Sequence, residues 1–384
     1  MIPRKQRRTY RMRIGIPKEI KDKEFRVGAT PPSVRGFVDH GHEVFVQSGA
    51  GLRIGFTDEA YEKAGAKIVS SAKEVWKADM IIKVKEPLDD EFSYMHPGQI
   101  LFTYLHLAAD RDLTQKLLDK QIIGVAYETV VDAQGRLPLL TPMSEVAGRL
   151  AVLEGARALT MIHGGRGTLV PGIPGVNPAH VLIIGGGVVG ANAAKMAMGL
   201  GANVTILDRN MNRLRELDDL YFGRLKTIFS APQLLEKLIG YADLVICAAL
   251  LPGKKAPKLI TENMVKTMEP GSVIVDVSID QGGCAETSRP TTHSNPTYIV
   301  HDVVHYCVAN MPAATARSST QGLTNVTYPY AIRLANEGVK KVLSEDPLFR
   351  QGLNLCMGKV TNRAVADDHG YEYIDPMAAL AHVK

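Results

Sequence analysis

Short β-branched apolar runs alternate along this chain with longer stretches whose apolar residues recur at helical spacing, the pattern of an α/β protein. In the early part, Arg13–Ile16, Val44–Gln47, Met80–Val84, Ile100–Thr103 and Ile123–Ala126 predict strands. Helical patterns separate them at Pro31–His40, Asp58–Ala64, Ser71–Lys77 and Asp110–Lys120. Ser144 to Ile162 predicts a long helix with few breakers, suited to connecting two domains, and the Gly- and Pro-rich segment from Gly164 to Pro178 predicts a loop. A second set of strands is predicted at Val181–Ile184, Val204–Leu207, Leu244–Ala248 and Val273–Val277, with Tyr298–Val300 as the last and a loop from Pro252 to Pro257. Gln321 to Leu343 predicts another long helix. The tail, including Met357–Val365, has too little strand content for a third domain, so its helices are expected to pack on the first.

One junction in this pattern carries chemistry. The strand Val181–Ile184 runs into Gly185, Gly186, Gly187, Val188, Val189 and Gly190, then into a helix rich in small residues, and the next strand ends on Asp208. A G-x-G-x-x-G stretch between strand and helix, followed by an acid at the end of the next strand, is a dinucleotide-binding arrangement. Gly185 permits the tight turn, Gly187 lets backbone amides approach a pyrophosphate, and Gly190 lets the helix pack closely on the strand. The helix N-terminus offers its unpaired N–H groups to the phosphates. Asp208 is placed for the adenosine ribose hydroxyls and repels a 2′-phosphate, which favours NAD over NADP, although Arg209 beside it softens that preference. A structural glycine turn that binds nothing is the alternative.

With 384 residues the chain exceeds the size at which one core keeps growing, so two domains are expected. A formal charge of +5 is too small to argue for nucleic acid, and much of it sits in Arg4, Lys5, Arg7, Arg8, Arg11 and Arg13. That basic segment has no apolar stretch of signal-peptide length behind it and reads as a solvated leader or an early start ahead of Met12, with a short targeting tail as the alternative. The four cysteines lie far apart, without zinc-finger or C-x-x-C spacing, as expected of reduced thiols in a cytoplasmic protein. The most apolar window, Val181 to Leu207, is interrupted by glycines, Asn192, Lys195 and Asn203, so no membrane span is expected. No metal cluster stands out: His40 with His42 and His301 with His305 lack matching acids.

Four residues are candidates for chemistry on a small polar substrate. Lys85 stands two positions from Lys83 on the predicted strand, which places both ammoniums on one face; a solvated edge strand is the alternative. His106, the side-chain type that titrates near neutrality, lies deep in apolar sequence, where a core histidine is the alternative. Arg26 falls in the loop after the first strand, as a carboxylate-binding arginine would, or as a surface arginine. Asp280 lies just beyond the strand Val273–Val277, on the side of a doubly wound sheet that faces ligands; capping a turn is its plainer role.

At these segments the sequence resembles alanine dehydrogenase of the bacterial, Rossmann-containing type. The resemblance is carried by Met12–Glu19, Glu24-Phe25-Arg26, Lys83–Pro87, Thr103–Ala108, Pro142–Arg149, Asp276–Gly283 and Val308–Pro312, in that order, and leaves out residues 1–11. It implies two doubly wound α/β domains, the second a Rossmann dinucleotide-binding domain, linked by long helices with an interdomain cleft. The expected division is a substrate domain from 1–138, an NAD-binding domain from 139–316, and C-terminal helices from 317–384 returning to the substrate domain. The activity implied is NAD-dependent oxidative deamination of L-alanine to pyruvate and ammonia, and its reverse. Carried over by motif, Arg26 and Lys85 hold the substrate, His106 is the acid/base, and Asp280 serves water or amine chemistry. Ser144, Asp208, Arg213, Ser230, Leu250, Ile279, Asn310 and Met311 fall at cofactor-contact positions, with Arg213 standing where lysine is expected. Ala248–Gly253 is also a slight variant of the family's pattern. A homohexamer is implied by the resemblance alone. The rival expectations are the soluble NAD-binding module of a nicotinamide nucleotide transhydrogenase, a dehydrogenase for another amino acid, and a non-catalytic NAD sensor.

Overall fold

A computed structural model describes residues 11–249 and 256–383. The chain divides into two compact units, Met1–Pro142 with Thr315–Lys384, and Met143–Ala314. Six strands precede the division: β1 (Arg13–Ile16), β2 (Glu43–Gln47), β3 (Lys67–Val69), β4 (Met80–Ile82), β5 (Ile100–Thr103) and β6 (Ile123–Ala126). The second unit holds β7 (His180–Ile184), β8 (Asn203–Asp208), β9 (Lys226–Phe229), β10 (Leu244–Cys247), β11 (Val273–Asp276), β12 (Thr297–Val300) and β13 (Val303–Tyr306). The tail adds β14 (Leu353–Cys356) and β15 (Lys359–Val360).

The first unit is one eight-stranded sheet in the order β15-β14-β6-β5-β4-β1-β2-β3. Strands β1 to β6 all run parallel, and β14 joins β6 antiparallel. The chain winds outward from β1 to β3, returns to the other side of β1 at β4, and continues to β6. The sheet therefore reverses its winding between β1 and β4, which in open α/β sheets marks the ligand crevice. The second unit has the order β12-β13-β11-β10-β7-β8-β9, with its reversal between β7 and β10 and only β12 antiparallel.

Burial explains why the central strands of the second unit read as unbroken apolar runs. Val181 and Ile183 of β7 pack into one core layer, with Leu244 and Ile246 of β10, while Leu182, Ile184, Val245 and Cys247 pack into the other. A parallel sheet covered on both faces needs apolar side chains at every position. The first unit has a comparable layer around Trp76, Leu101, Leu117 and Leu355, which shows β14 filling the same core as β5. All four cysteines are buried and free. Among the described residues, no helix is long and apolar enough to cross a membrane.

Several expectations are corrected. Strand β4 stops at Ile82 rather than Val84, because Val84 and Lys85 turn their N–H groups to a carboxylate, that of Glu19, at 2.7 and 3.3 Å. Tyr298–Val300 is not in the last strand: β13 follows after a turn in which His301 and Asp302 both take positive φ, and β14 and β15 come from the tail. The helix expected from Gln321 to Leu343 is two, Ala316–Glu337 and Val339–Glu345, separated by Gly338 at φ +82.

Candidate active site

In the first unit the candidates gather on the loops that follow the carboxyl ends of β1, β4 and β5, at the reversal point of the sheet. Arg26 comes from the loop after β1, Lys85 from that after β4, and His106 from that after β5. Buried polar contacts hold these loops together.

Arg26 is not a surface arginine. It is 2% exposed, and its Nε and Nη2 donate to the two oxygens of Glu24 at 2.8 and 2.6 Å. Burial works against the guanidinium charge, but the carboxylate of Glu24 more than offsets it, and the net direction of its pKa is up. Lys83 and Lys85 are both buried, on a central rather than an edge segment. Lys83 acts structurally, since its Nζ lies 3.1 Å from Glu19 and donates to Glu91 at 2.6 Å. Those two carboxylates keep Lys83 charged against the cost of burial. Burial pushes Glu19 up, against the pull of Lys83. Glu19 in turn accepts the backbone amides of Val84 and Lys85, and so fixes where Lys85 leaves the sheet. The Lys85 ammonium sits 3.4 Å from Glu86.

His106 is not a core histidine; its side chain is 44% exposed. Its backbone is left-handed at φ 51, an uncommon conformation for a non-glycine residue. Glu128, after β6, stabilises that conformation by accepting His106 N–H at 2.6 Å and Leu105 N–H at 3.2 Å. The ring stacks parallel on Tyr104 at 5.7 Å, and Tyr104 is anchored through its hydroxyl to the carbonyl of Leu139 at 2.6 Å. The result is an accessible imidazole whose backbone and one ring face are both held.

In the second unit the cofactor candidates follow the carboxyl ends of five strands. Gly185 to Gly190 follow β7, Asp208 ends β8, Ser230 follows β9, Ile279 and Asp280 follow β11, and Asn310 and Met311 follow β13. Ser144 lies instead on the helix Thr141–Ala158, and Leu250 lies outside the described residues. Gly185 has φ +105, and a Cβ on Gly190 would lie 1.8 Å from the carbonyl oxygen of Gly185, so both glycines are demanded by the protein itself. Gly187 differs. Its φ of −66 suits any residue, and a Cβ there would meet nothing within 4 Å. The space above the helix N-terminus is open, a cradle that a side chain would fill.

Asp208 closes the turn by accepting Gly186 N–H at 2.6 Å and Asn210 N–H at 2.7 Å. A carboxylate has about four lone-pair sites, so acceptor capacity is left for a ligand. Arg213 packs on the same turn, donating from Nε to the carbonyl of Gly186 at 2.6 Å and from Nη1 to Glu216 at 2.8 Å. Ser230 N–H donates to the carbonyl of Asp208 at 2.9 Å. Ile279 and Met311 are buried, Asn310 is left-handed at φ 69, and Asp280 is exposed on a short 3-10 turn, Val277–Gln281.

Matches to known proteins fall on both units. The family models described as "Alanine dehydrogenase/PNT, N-terminal domain" and "Alanine dehydrogenase/PNT, C-terminal domain" match residues 15–147 and 151–363. The chain belongs to the alanine dehydrogenase/PNT family. Within it, the alanine dehydrogenase of Bacillus subtilis is 57% identical over 371 residues, covering 96% of this chain and 98% of that one. That of Methanococcus maripaludis is 55% identical, over 96% of this chain and all of its own length (100%). A solved L-alanine dehydrogenase superposes with a TM-score of 0.90 at 50% identity, over 94% of this chain and 99% of its own. The transhydrogenase from Sinorhizobium meliloti is more distant, with a TM-score of 0.79 at 25% identity over 91% and 99%. The family implies a nicotinamide cofactor, and its alanine dehydrogenases a small-molecule substrate.

Residues that the sequence pattern did not single out complete the picture. Glu19 and Glu128 are distant in sequence from the groups they hold, and Glu91, eight residues from Lys83, meets it only through the turn after β4. Asp276, buried at the end of β11, accepts Cys284 N–H at 2.7 Å and Ser288 Oγ–H at 2.6 Å, which ties down the far end of the loop bearing Asp280. Its signal was present: an acid closing an apolar strand, as Asp208 does.

Proposed function

We propose that the protein is an NAD-dependent alanine dehydrogenase, converting L-alanine, NAD and water to pyruvate, ammonia and NADH, and running in reverse. The observation that carries this reading is that Arg26, Lys85 and His106 follow the carboxyl ends of three adjacent strands, β1, β4 and β5, beside the reversal of the first sheet, in a chain 57% identical to an alanine dehydrogenase. The division into substrate-binding residues 1–138 with 317–384 and NAD-binding residues 139–316 is supported by the two compact units. The greater distance of the transhydrogenase gives no support to the rival reading.

The second unit suits a dinucleotide, since nothing within the protein calls for glycine at position 187 whereas an approaching pyrophosphate does. Gly187 and the following helix N-terminus would hold the phosphates, on a turn shaped by Gly185 and Gly190, and Asp208 the adenosine ribose, excluding a 2′-phosphate. Ser144, Arg213, Ser230, Leu250, Ile279, Asn310 and Met311 would line the rest. Bound NAD supplies the acceptor for the hydride that leaves the alanine Cα.

Arg26 and Lys85 fix the substrate carboxylate; the buried carboxylate of Glu24 holds the Arg26 guanidinium, and that of Glu19 fixes the backbone at Lys85. His106 accepts the proton that the substrate ammonium gives up, and departure of the Cα hydride from the resulting amine leaves the iminium. Asp280 positions the water that adds to the iminium carbon, and the carbinolamine then expels ammonia as its hydroxyl proton is removed. By the same resemblance the enzyme is a homohexamer, and its four free cysteines support a cytoplasmic location. The test is NADH formation at alkaline pH with L-alanine, D-alanine, L-serine and L-lysine in parallel, repeated with NADP. Turnover concentrated on L-alanine and NAD is expected; NADH binding without turnover of any amino acid would refute the reading.

A further inference from the structure

Glu86 follows Lys85 directly and takes part in none of the steps above. Its Oε1 accepts from Lys21 Nζ at 2.5 Å, whereas its Oε2 is buried without a hydrogen-bond partner and faces Lys85 Nζ across 3.4 Å. Lys21 stands on the loop after β1, the same loop that carries Arg26, and is partly exposed. The chain of charges Lys21–Glu86–Lys85 therefore joins two loops of the substrate site. Burial opposes the ionisation of Glu86, but the Lys85 and Lys21 ammoniums overcome it and hold the carboxyl at about 2. Lys85 thus shares its charge with a permanent anion that competes with any carboxylate it is to receive.

We infer that Glu86 is a positioning residue that sets how strongly Lys85 receives the substrate carboxylate, with Lys21 as the counter-charge that draws Glu86 off it. The inference rests on reading Lys85 as a ligand of that carboxylate. When the carboxylate arrives, Lys85 exchanges a long contact for a short one, and Glu86 keeps its partner on the other side. Without Lys21, the charge of Glu86 falls wholly on Lys85. Without Glu86, both ammoniums act on the substrate.

These statements give the two partners of one ion pair opposite effects, which a scaffolding role cannot do. With saturating NADH and ammonium near neutral pH, Glu86→Gln lowers the KM for pyruvate about three- to tenfold, the scale of one unit charge acting across about 3–6 Å at the dielectric of water. Lys21→Met raises it by a similar factor, and the double variant returns to within about twofold of wild type. Competitive inhibition by oxamate follows the same order. Melting temperature and NADH binding are recorded for each variant, because a scaffolding role raises KM in both single variants and lowers both melting temperatures. That result, or an unchanged pyruvate KM in Glu86→Gln, overturns the inference while leaving the dehydrogenase reading intact. Wild-type turnover of L-alanine is measured first; if there is none, the dehydrogenase reading fails and this inference fails with it.

Discussion

Two glycines three residues apart separate what the fold needs from what the cofactor needs. In Gly190→Ala the new Cβ would lie 1.8 Å from the carbonyl oxygen of Gly185 and 3.2 Å from Ile183 Cγ2. Because the first neighbour is backbone, the helix Val188–Gly199 must move off β7 by about 1 Å to restore contact distance, and overpacking of this kind costs about 1–3 kcal/mol or more. In Gly187→Ala nothing lies within 4 Å of the new atom and the backbone angles are ordinary. The remaining cost is that of alanine rather than glycine at a helix N-cap, about 1 kcal/mol or less. A pyrophosphate held by backbone N–H groups would be displaced by the same methyl. Losing one charge-assisted hydrogen bond, about 1.5–3 kcal/mol, weakens binding roughly ten- to a hundredfold. Thermal unfolding followed by circular dichroism and NADH titration followed by fluorescence distinguish the two. The expected result is a lowered melting temperature for Gly190→Ala, and a near-normal one with weakened NADH binding for Gly187→Ala. Wild-type NADH affinity in Gly187→Ala would refute the placement of the phosphates.

His106→Gln should reduce turnover about 10²- to 10⁴-fold while leaving the NADH dissociation constant unchanged, as measured by steady-state kinetics and fluorescence titration. Lys83→Met strands Glu19 and Glu91 in the core, so urea unfolding should show a loss of about 3–5 kcal/mol. Glu86 is held at about 2 in the folded protein, below its ordinary 4.5, so it contributes stability that is fully present above pH 4.5 and lost as the pH falls toward 2. The stability difference between wild type and Lys21→Met should accordingly shrink across that window in acid titrations followed by circular dichroism.

The central strands and the glycine turn were legible because their signals are local. Arg13–Ile16, Ile100–Thr103 and Ile123–Ala126 are apolar runs bounded by breakers, and the structure places strands at those same residues. What escaped depends on partners far away. Lys67–Val69 and Lys226–Phe229 are short edge strands, half-exposed and framed by polar residues, and Leu353–Cys356 becomes a strand by pairing with β6, over two hundred residues earlier. The hairpin turn at His301-Asp302 lacks the Asn-Gly signature, so β13 went unread. At the site, the loop bearing Arg26 could be placed from sequence, whereas Lys85 was expected on the strand itself and the roles of the neighbouring carboxylates could not be read. A lysine two positions from another looks like the same face of one strand until Glu19 is seen to end that strand and bury Lys83.

The most direct test is the initial rate of NAD reduction by L-alanine at alkaline pH, with L-serine, D-alanine and NADP as controls. The account predicts turnover with L-alanine and NAD well above every control, and its loss in His106→Gln. Tight NADH binding with no turnover of L-alanine would contradict it and return the protein to the transhydrogenase-like or sensor readings.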